Sequence, residues 1–193
     1  QLNFNMLGIK RLITTHYVAN GPSYKFEIIN QDKGIQIGLP EYIKTPLKGN
    51  GDFRSEECIE LLKQSDIIVT NPPFSLMKEY LPLVLESGKK FIVLGNINHV
   101  TFKEIFHYFK DNKFWLGYNS GHFWFKVPDY YEKKSTDFKQ DENGQKWRRM
   151  GNICWFTNLD IDKRHQPLDL YKHYNSIDYP KYETYDAIDC QEY

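Results

Sequence analysis

The chain has 193 residues, of which 40% are hydrophobic and 26% charged, and its 25 basic residues balance 25 acidic ones to a formal net charge of zero. That length suits one domain with one core, and the composition excludes a disordered chain. No apolar stretch approaches the roughly 20 residues needed to span a bilayer, and zero net charge excludes a global attraction to nucleic acid, so any such partner needs a local basic patch.

Leu2, Phe4, Met6, Leu7 and Ile9 read as the end of an amphipathic helix closed by Gly8. The chain starts on Gln1 without a signal peptide and is read as a fragment or a processed product. Lys10 to Thr15 and Tyr24 to Ile29 read as strands separated by Gly21-Pro22, and Ile35 to Ile37 could pair back as a hairpin. Lys48-Gly-Asn-Gly-Asp-Phe53 is a glycine-rich turn. Ser55 then caps a helix running to Gln64, with Glu56 and Glu57 in the first turn where acids suit the helix dipole.

Asp66 to Thr70 is a β-branched run that reads as a buried parallel strand, ended by Asn71-Pro72-Pro73-Phe74. Leu76 to Glu86 is helical, with Pro82 predicting a kink or a later start. Phe91 to Leu94 is the next buried strand. Thr101 to Lys110 is a helix capped by Thr101, with Phe102, Ile105, Phe106 and Phe109 facing inward.

Phe114 to Tyr118, His122 to Val127 and Asn152 to Thr157 are aromatic strand-like runs, and Asp137 to Arg149 reads as a polar loop. The alternation of helices and strands predicts an α/β fold with a doubly wound, mostly parallel sheet and aromatic antiparallel strands near the C-terminal part. One domain is expected over 1–160, with a polar insertion at about 128–150. Residues 161–193 are an irregular tail.

Cys58, Cys154 and Cys190 form no CxxC pair, and the six histidines form no cluster. A reducing cytoplasm is the natural compartment, and neither a disulfide framework nor a metal site is expected. Nothing in the sequence demands a dimer, so a monomer is expected.

The Asn-Pro-Pro-Phe turn carries the chemistry. Two prolines stiffen the carboxyl end of a strand, where open α/β sheets place ligands. An amine conjugated to an aromatic ring is a poor nucleophile, because its lone pair is delocalised. Acceptors for both of its hydrogens favour a tetrahedral nitrogen that can attack. The Asn71 amide oxygen and the Pro72 carbonyl are such acceptors, Pro73 holds them rigid, and Phe74 can stack on the ring. The same four residues also make a good turn with no chemistry at all.

Asp66 to Phe74 resembles the catalytic motif of amino-group methyltransferases that use S-adenosylmethionine. Further segments resemble one branch, the EcoRI-type adenine-N6 DNA methyltransferases: Gly8 to Leu12, Lys44 to Ser55, Lys89 to Asn96 and Trp147 to Asn158. The resemblance implies a Rossmann-like class I fold. It also implies methyl transfer to the N6 of adenine in a specific duplex DNA site, as the modification enzyme of a bacterial restriction-modification system. Asp52 takes the position that binds the adenine amine of S-adenosylmethionine, with Phe53 packing on its ring. Thr15-His16-Tyr17 stands where the family binds the cofactor ribose, without the usual acid.

Nothing in Gln1–Leu7 resembles the family motif that cradles the methionine end of the cofactor, so cofactor binding by this chain alone is expected to be weak or absent. The family's chain also runs beyond Tyr193, into a DNA-recognition region whose start the tail would supply.

Adenine in a duplex must be flipped out to reach such a turn. Trp124 and Phe125 are candidates for the second stacking group, with core packing as the alternative. Lys146, Arg148 and Arg149 are candidates for phosphate or base contact, and a solvated face is the alternative. Rival functions are a methyltransferase acting on RNA or on protein glutamine, and an inactive fragment serving as a DNA-binding module.

Overall fold

The computed structural model describes residues 8–30, 42–133, 137–167, 169–184 and 187–188. The helix read in the opening residues, the return strand at Ile35 to Ile37, Cys190 and most of the final ten residues lie outside them. The chain separates into two units, Gln1–Leu159 and Asp160–Tyr193.

The first unit begins with a three-stranded antiparallel sheet of β1 (Arg11–His16), β2 (Tyr24–Ile29) and β3 (Tyr42–Pro46), with β2 central. Aromatic rings line up along it: His16 stacks on Tyr24 at 4.9 Å, and Phe26 meets Tyr42 edge-on at 5.1 Å. β3 is a strand that the turn-rich Lys44 to Ser55 segment conceals in the sequence.

Helix α1 (Glu56–Gln64) starts where expected, with the Ser55 hydroxyl accepting from the Cys58 amide at 3.3 Å. The second sheet runs β4 (Ile67–Thr70), β5 (Lys90–Asn96), β8 (Lys146–Thr157), β6 (Trp115–Lys126), with β7 (Phe138–Gln140) also on β8. Only β4 and β5 are parallel, with Thr70 level with Val93. The other pairs are antiparallel. The fold is therefore a mixed α/β fold with a mixed sheet, and the described strands are not mostly parallel as expected. The first two aromatic runs, Phe114 to Tyr118 and His122 to Val127, form one long strand, and the stretch read as a polar loop folds into β7 and the start of β8. Cross-strand pairing ordered those polar residues, which their composition alone does not reveal.

Helices α2 (Met77–Glu86) and α3 (Lys103–Lys110) pack on one face of this sheet. Met77, Leu81 and Val84 of α2, Phe91 and Val93 of β5, Ile105 of α3, and Phe114, Cys154 and Phe156 make the core, each at most 1% exposed. α1 adds Leu62 to the same core. The opposite face of β4 is open among the described residues, with Ile67 50% and Val69 66% exposed. Among the described residues, the strand expected to be buried and doubly covered stands at the edge of the sheet, covered on one side.

α2 runs through Pro82 after a 3₁₀ turn at Phe74–Leu76. α3 starts two residues later than expected, after a 3₁₀ turn at Ile97–Thr101. Its Phe106 faces outward at 53% exposure. Gly95 sits where a Cβ would drive into the Phe156 ring and come within 3.3 Å of the Met77 methyl carbon. Strand β5 can therefore lie flat under α2 only with glycine at that point.

The second unit carries a 3₁₀ turn at Asp162–His165 and an isolated bridge between Lys181 and Ile188. Among the described residues no helix is long and apolar enough to cross a membrane.

Candidate active site

Asn71 follows the last residue of β4, at the carboxyl end of the parallel pair. Asn71 and Pro73 are exposed, Pro72 is buried and Phe74 is half-buried. Pro73 opens a 3₁₀ turn by accepting the Leu76 amide at 3.0 Å. Among the described residues neither the Asn71 amide group nor the Pro72 carbonyl has a hydrogen-bond partner. A rigid turn thus presents two adjacent oxygens with unused acceptor capacity.

Phe74 is held by a residue that sequence reading missed. The His99 ring lies edge-on to it at 5.3 Å and also touches Phe102 at 5.1 Å. His99 Nδ1 accepts the Asn96 amide at 3.2 Å, so β5's last residue and the Phe74 ring share one imidazole. Burial holds the His99 pKa below its ordinary value. The ring is therefore neutral at physiological pH, which suits its acceptor role.

Asp52 lies in the turn before α1. Its carboxylate takes Arg54 Nε on Oδ1 at 3.0 Å, Arg54 Nη2 on Oδ2 at 2.7 Å and the Arg54 amide on Oδ1 at 2.8 Å. These hydrogen bonds hold its pKa below the usual carboxylate value, against a smaller opposing effect of burial. Oδ2 keeps room for another donor, since a carboxylate offers about four acceptor sites. Gly51 supplies the positive φ of +80° that the turn needs, and a Cβ there would collide with the His16 carbonyl. Phe53 packs edge-on against Tyr80 at 5.0 Å, with the Arg54 guanidinium carbon 5.2 Å from its ring centroid.

Two contacts tie this turn to the Asn71 turn. Arg54 Nη1 donates to Glu79 of α2 at 2.9 Å. Tyr80, next on α2, supports Phe53 and shares a hydrogen bond with Thr70, the residue before Asn71. Burial pushes the Tyr80 hydroxyl up to about 12, the Thr70 hydrogen bond working the other way. Arg54, Glu79, Tyr80 and His99 carry no local motif. Only the short spacing from Phe74, in the 3₁₀ turn, to Tyr80, early in α2, hints at a link.

The other expected residues sit elsewhere, on the far halves of β6 and β8. Trp124 is 37% and Phe125 41% exposed. Trp124 pairs in register with Arg149, and Phe125 with Arg148. The Lys146 ammonium donates to the Asp129 and Tyr131 carbonyls. Arg149 forms an ion pair with Asp137 at 2.6 Å, and Arg148 Nη1 meets the Tyr131 hydroxyl at 2.5 Å. Of the three cations, only Arg148 is exposed by residue.

A model of the family described as adenine-specific methyltransferase EcoRI matches residues 1–193. The chain is 40% identical over 204 residues to the Type II methyltransferase M.EcoRI of Escherichia coli, a match that covers 99% of this chain and 63% of that protein. It is 40% identical over 195 residues to the Type II methyltransferase M.MgeORF184P of Mycoplasma genitalium, and 38% identical over 194 residues to M.MpnI of Mycoplasma pneumoniae. Each of these two matches covers 97% of this chain and 58% of the relative. The chain thus spans about three-fifths of the length of these curated relatives. No solved structure matches it.

Proposed function

Because the chain belongs to the EcoRI family of adenine-specific methyltransferases, we propose that Asn71, Pro72, Pro73 and Phe74 form the catalytic turn that presents the N6 amine of a flipped-out adenine in duplex DNA for methylation. The observation that carries this reading is the pair of acceptors without a partner among the described residues, the Asn71 amide oxygen and the Pro72 carbonyl, at the carboxyl end of β4. Together they accept both amine hydrogens and localise the nitrogen lone pair. Phe74, fixed edge-on by His99, sets the plane of the base. The proton that the nitrogen sheds leaves from the Asn71 side to water.

The methyl donor proposed is S-adenosylmethionine, which when bound supplies the methyl group as an electrophile. The residues present fit its adenosine end: Asp52 Oδ2 has acceptor capacity left for an amine, and Phe53 is a ring braced by Tyr80. In this reading the fold is Rossmann-like, of class I, and the chain is the core of a monomeric modification enzyme in a bacterial restriction-modification system. Its DNA substrate lies in the cytoplasm. Trp124 and Phe125 remain candidates for the second stacking group, and Arg148 the most accessible of the expected DNA-contacting cations beside Lys146 and Arg149.

The test is methyl transfer from labelled S-adenosylmethionine to duplex DNA, RNA and protein by the full-length protein, wild type and Asn71→Ala. The expected result is labelling of adenine in DNA alone, with kcat lowered about 10²- to 10³-fold in the variant. Because Asn71 is exposed, the variant should melt like the wild type. RNA-only or protein-only labelling, or full activity in the variant, refutes the proposal.

A further inference from the structure

Strand β5 ends at Asn96, level with Ile153 of β8. β8 runs antiparallel to β5, so its residues before Ile153 project past the carboxyl ends of β4 and β5. That is the edge of the sheet from which the Asn71 turn leaves. Among the described residues, in this outer stretch β8 pairs with the far half of β6 on one side and with β7 on the other, making a three-stranded arm. Register shifts in the β6–β8 pair before Phe123, and a positive φ of 60° at Asn152, mark where the arm leaves the body of the sheet. Trp147 lies six residue steps of strand before Ile153, so the arm reaches about 20 Å beyond that edge.

One face of the arm is a ladder of cations and indoles. Lys126, Trp147 and Lys139 stand directly opposite one another on β6, β8 and β7, and residues so paired share a face. The Trp147 indole donates Nε1–H to Asp141 Oδ2 at 2.9 Å, which fixes the ring. Lys126 and Lys139 place their ammonium groups 5.4 Å and 5.9 Å from its centroid. Lys139 also lies 4.5 Å from the Trp124 centroid. Both lysines are exposed, and among the described residues neither forms an ion pair. The nearby Asp141 carboxylate is engaged by Trp147 and by the amides of Asn143 and Gln145. Lys146 and Arg149, by contrast, are consumed by Asp129, Tyr131 and Asp137.

We propose that Lys126 and Lys139 are phosphate-contacting residues of a β-arm that follows the backbone of duplex DNA beside the catalytic turn, a site that rests on the DNA reading above. An ammonium held on an indole face loses less rotamer freedom on binding than a free lysine, yet keeps its outward hydrogens for a phosphate oxygen. The Trp124 ring supports Lys139 on this face.

The experiment is fluorescence anisotropy of a labelled duplex oligonucleotide against the full chain over a salt series, for the wild type, Lys126→Gln, Lys139→Gln, the double variant and Trp124→Leu, each checked for an unchanged melting curve. Each single lysine variant should flatten the plot of log affinity against log salt by about 0.9, and the double variant by about 1.8. Trp124→Leu should weaken binding while leaving the slope unchanged, since no charge is lost. Unchanged slopes in the lysine variants overturn the assignment, as does an effect confined to duplex RNA. If DNA is still methylated while the slopes stay unchanged, only the arm falls. If the slopes flatten as expected but DNA is not methylated, the arm stands and the methyltransferase reading fails.

Discussion

Arg54 and Glu79 meet at 2.9 Å across 25 residues of sequence, and the same guanidinium clasps Asp52 with its other two nitrogens. The turn proposed to hold the cofactor's adenosine is thereby fixed to the helix that begins just after the catalytic turn. A charge-assisted fork of this kind has defined geometry, which a lysine in the same place would not reproduce.

Replacing Arg54 with Ala or Lys should therefore weaken S-adenosylmethionine binding several-fold with little change in melting temperature, because the exposed pair contributes little to stability. Isothermal calorimetry on the full-length protein, beside scanning calorimetry, separates the two effects. A large drop in melting temperature with unchanged cofactor affinity would contradict the assigned role.

Tyr80 links Phe53 to Thr70 from inside the core. Tyr80→Phe keeps the ring and removes one hydrogen bond, so it should cost about 0.5–1.5 kcal/mol. Tyr80→Ala should cost about 3–5 kcal/mol through the cavity it leaves. Urea unfolding of both variants distinguishes the terms, and equal losses would mean that the ring is not the support it is taken to be.

At Gly95 the Phe156 ring occupies the space that a methyl group needs, and Phe156 is fully buried. Gly95→Ala should destabilise by about 1–3 kcal/mol as the ring or α2 is displaced. Thermal melting checks this, with Gly88→Ala as a comparison: its Cβ meets nothing within 4 Å, and its cost comes from its φ of +69° alone.

His99 gives a pH dependence with a definite sign. Its pKa is lowered in the folded state by burial, so above about 6.5 both states are neutral and it contributes nothing to the slope. As pH falls through about 6.5 the unfolded chain takes up the proton first. Stability then declines until the folded-state pKa is reached. His99→Gln, which keeps an acceptor for the Asn96 amide, should flatten this part of the stability profile between about pH 7.5 and about pH 5.5. An unchanged profile would show that the imidazole is not protected as its burial implies.

What the sequence determined by itself was whatever is encoded within one turn or one strand. The Ser55 cap, the β-branched run before Asn71, the stiff Asn-Pro-Pro-Phe turn and the family resemblance all rest on contiguous residues. Such residues set backbone dihedrals and local hydrogen bonds without help from the rest of the chain. The largest of the expectations that failed concerned neighbours distant in sequence. Apolar β-branched residues at Ile67 and Val69 look buried, yet among the described residues β4 stands at the edge of the sheet with one open face. Asp137 to Arg149 looks like a loop, yet its polar residues pair across β6, β7 and β8.

The same division runs through the site. Asn71 and Asp52 are legible from their turns, whereas His99, Arg54, Glu79 and Tyr80 acquire their roles only through side chains that meet after folding. The basic residues show the reason most directly. In sequence Lys146, Arg148 and Arg149 look like one patch, but adjacent residues on a strand point to opposite faces. Tertiary structure therefore decided which charges were neutralised by Asp137 or by backbone carbonyls, and which, at Lys126 and Lys139, were left facing outward on an indole.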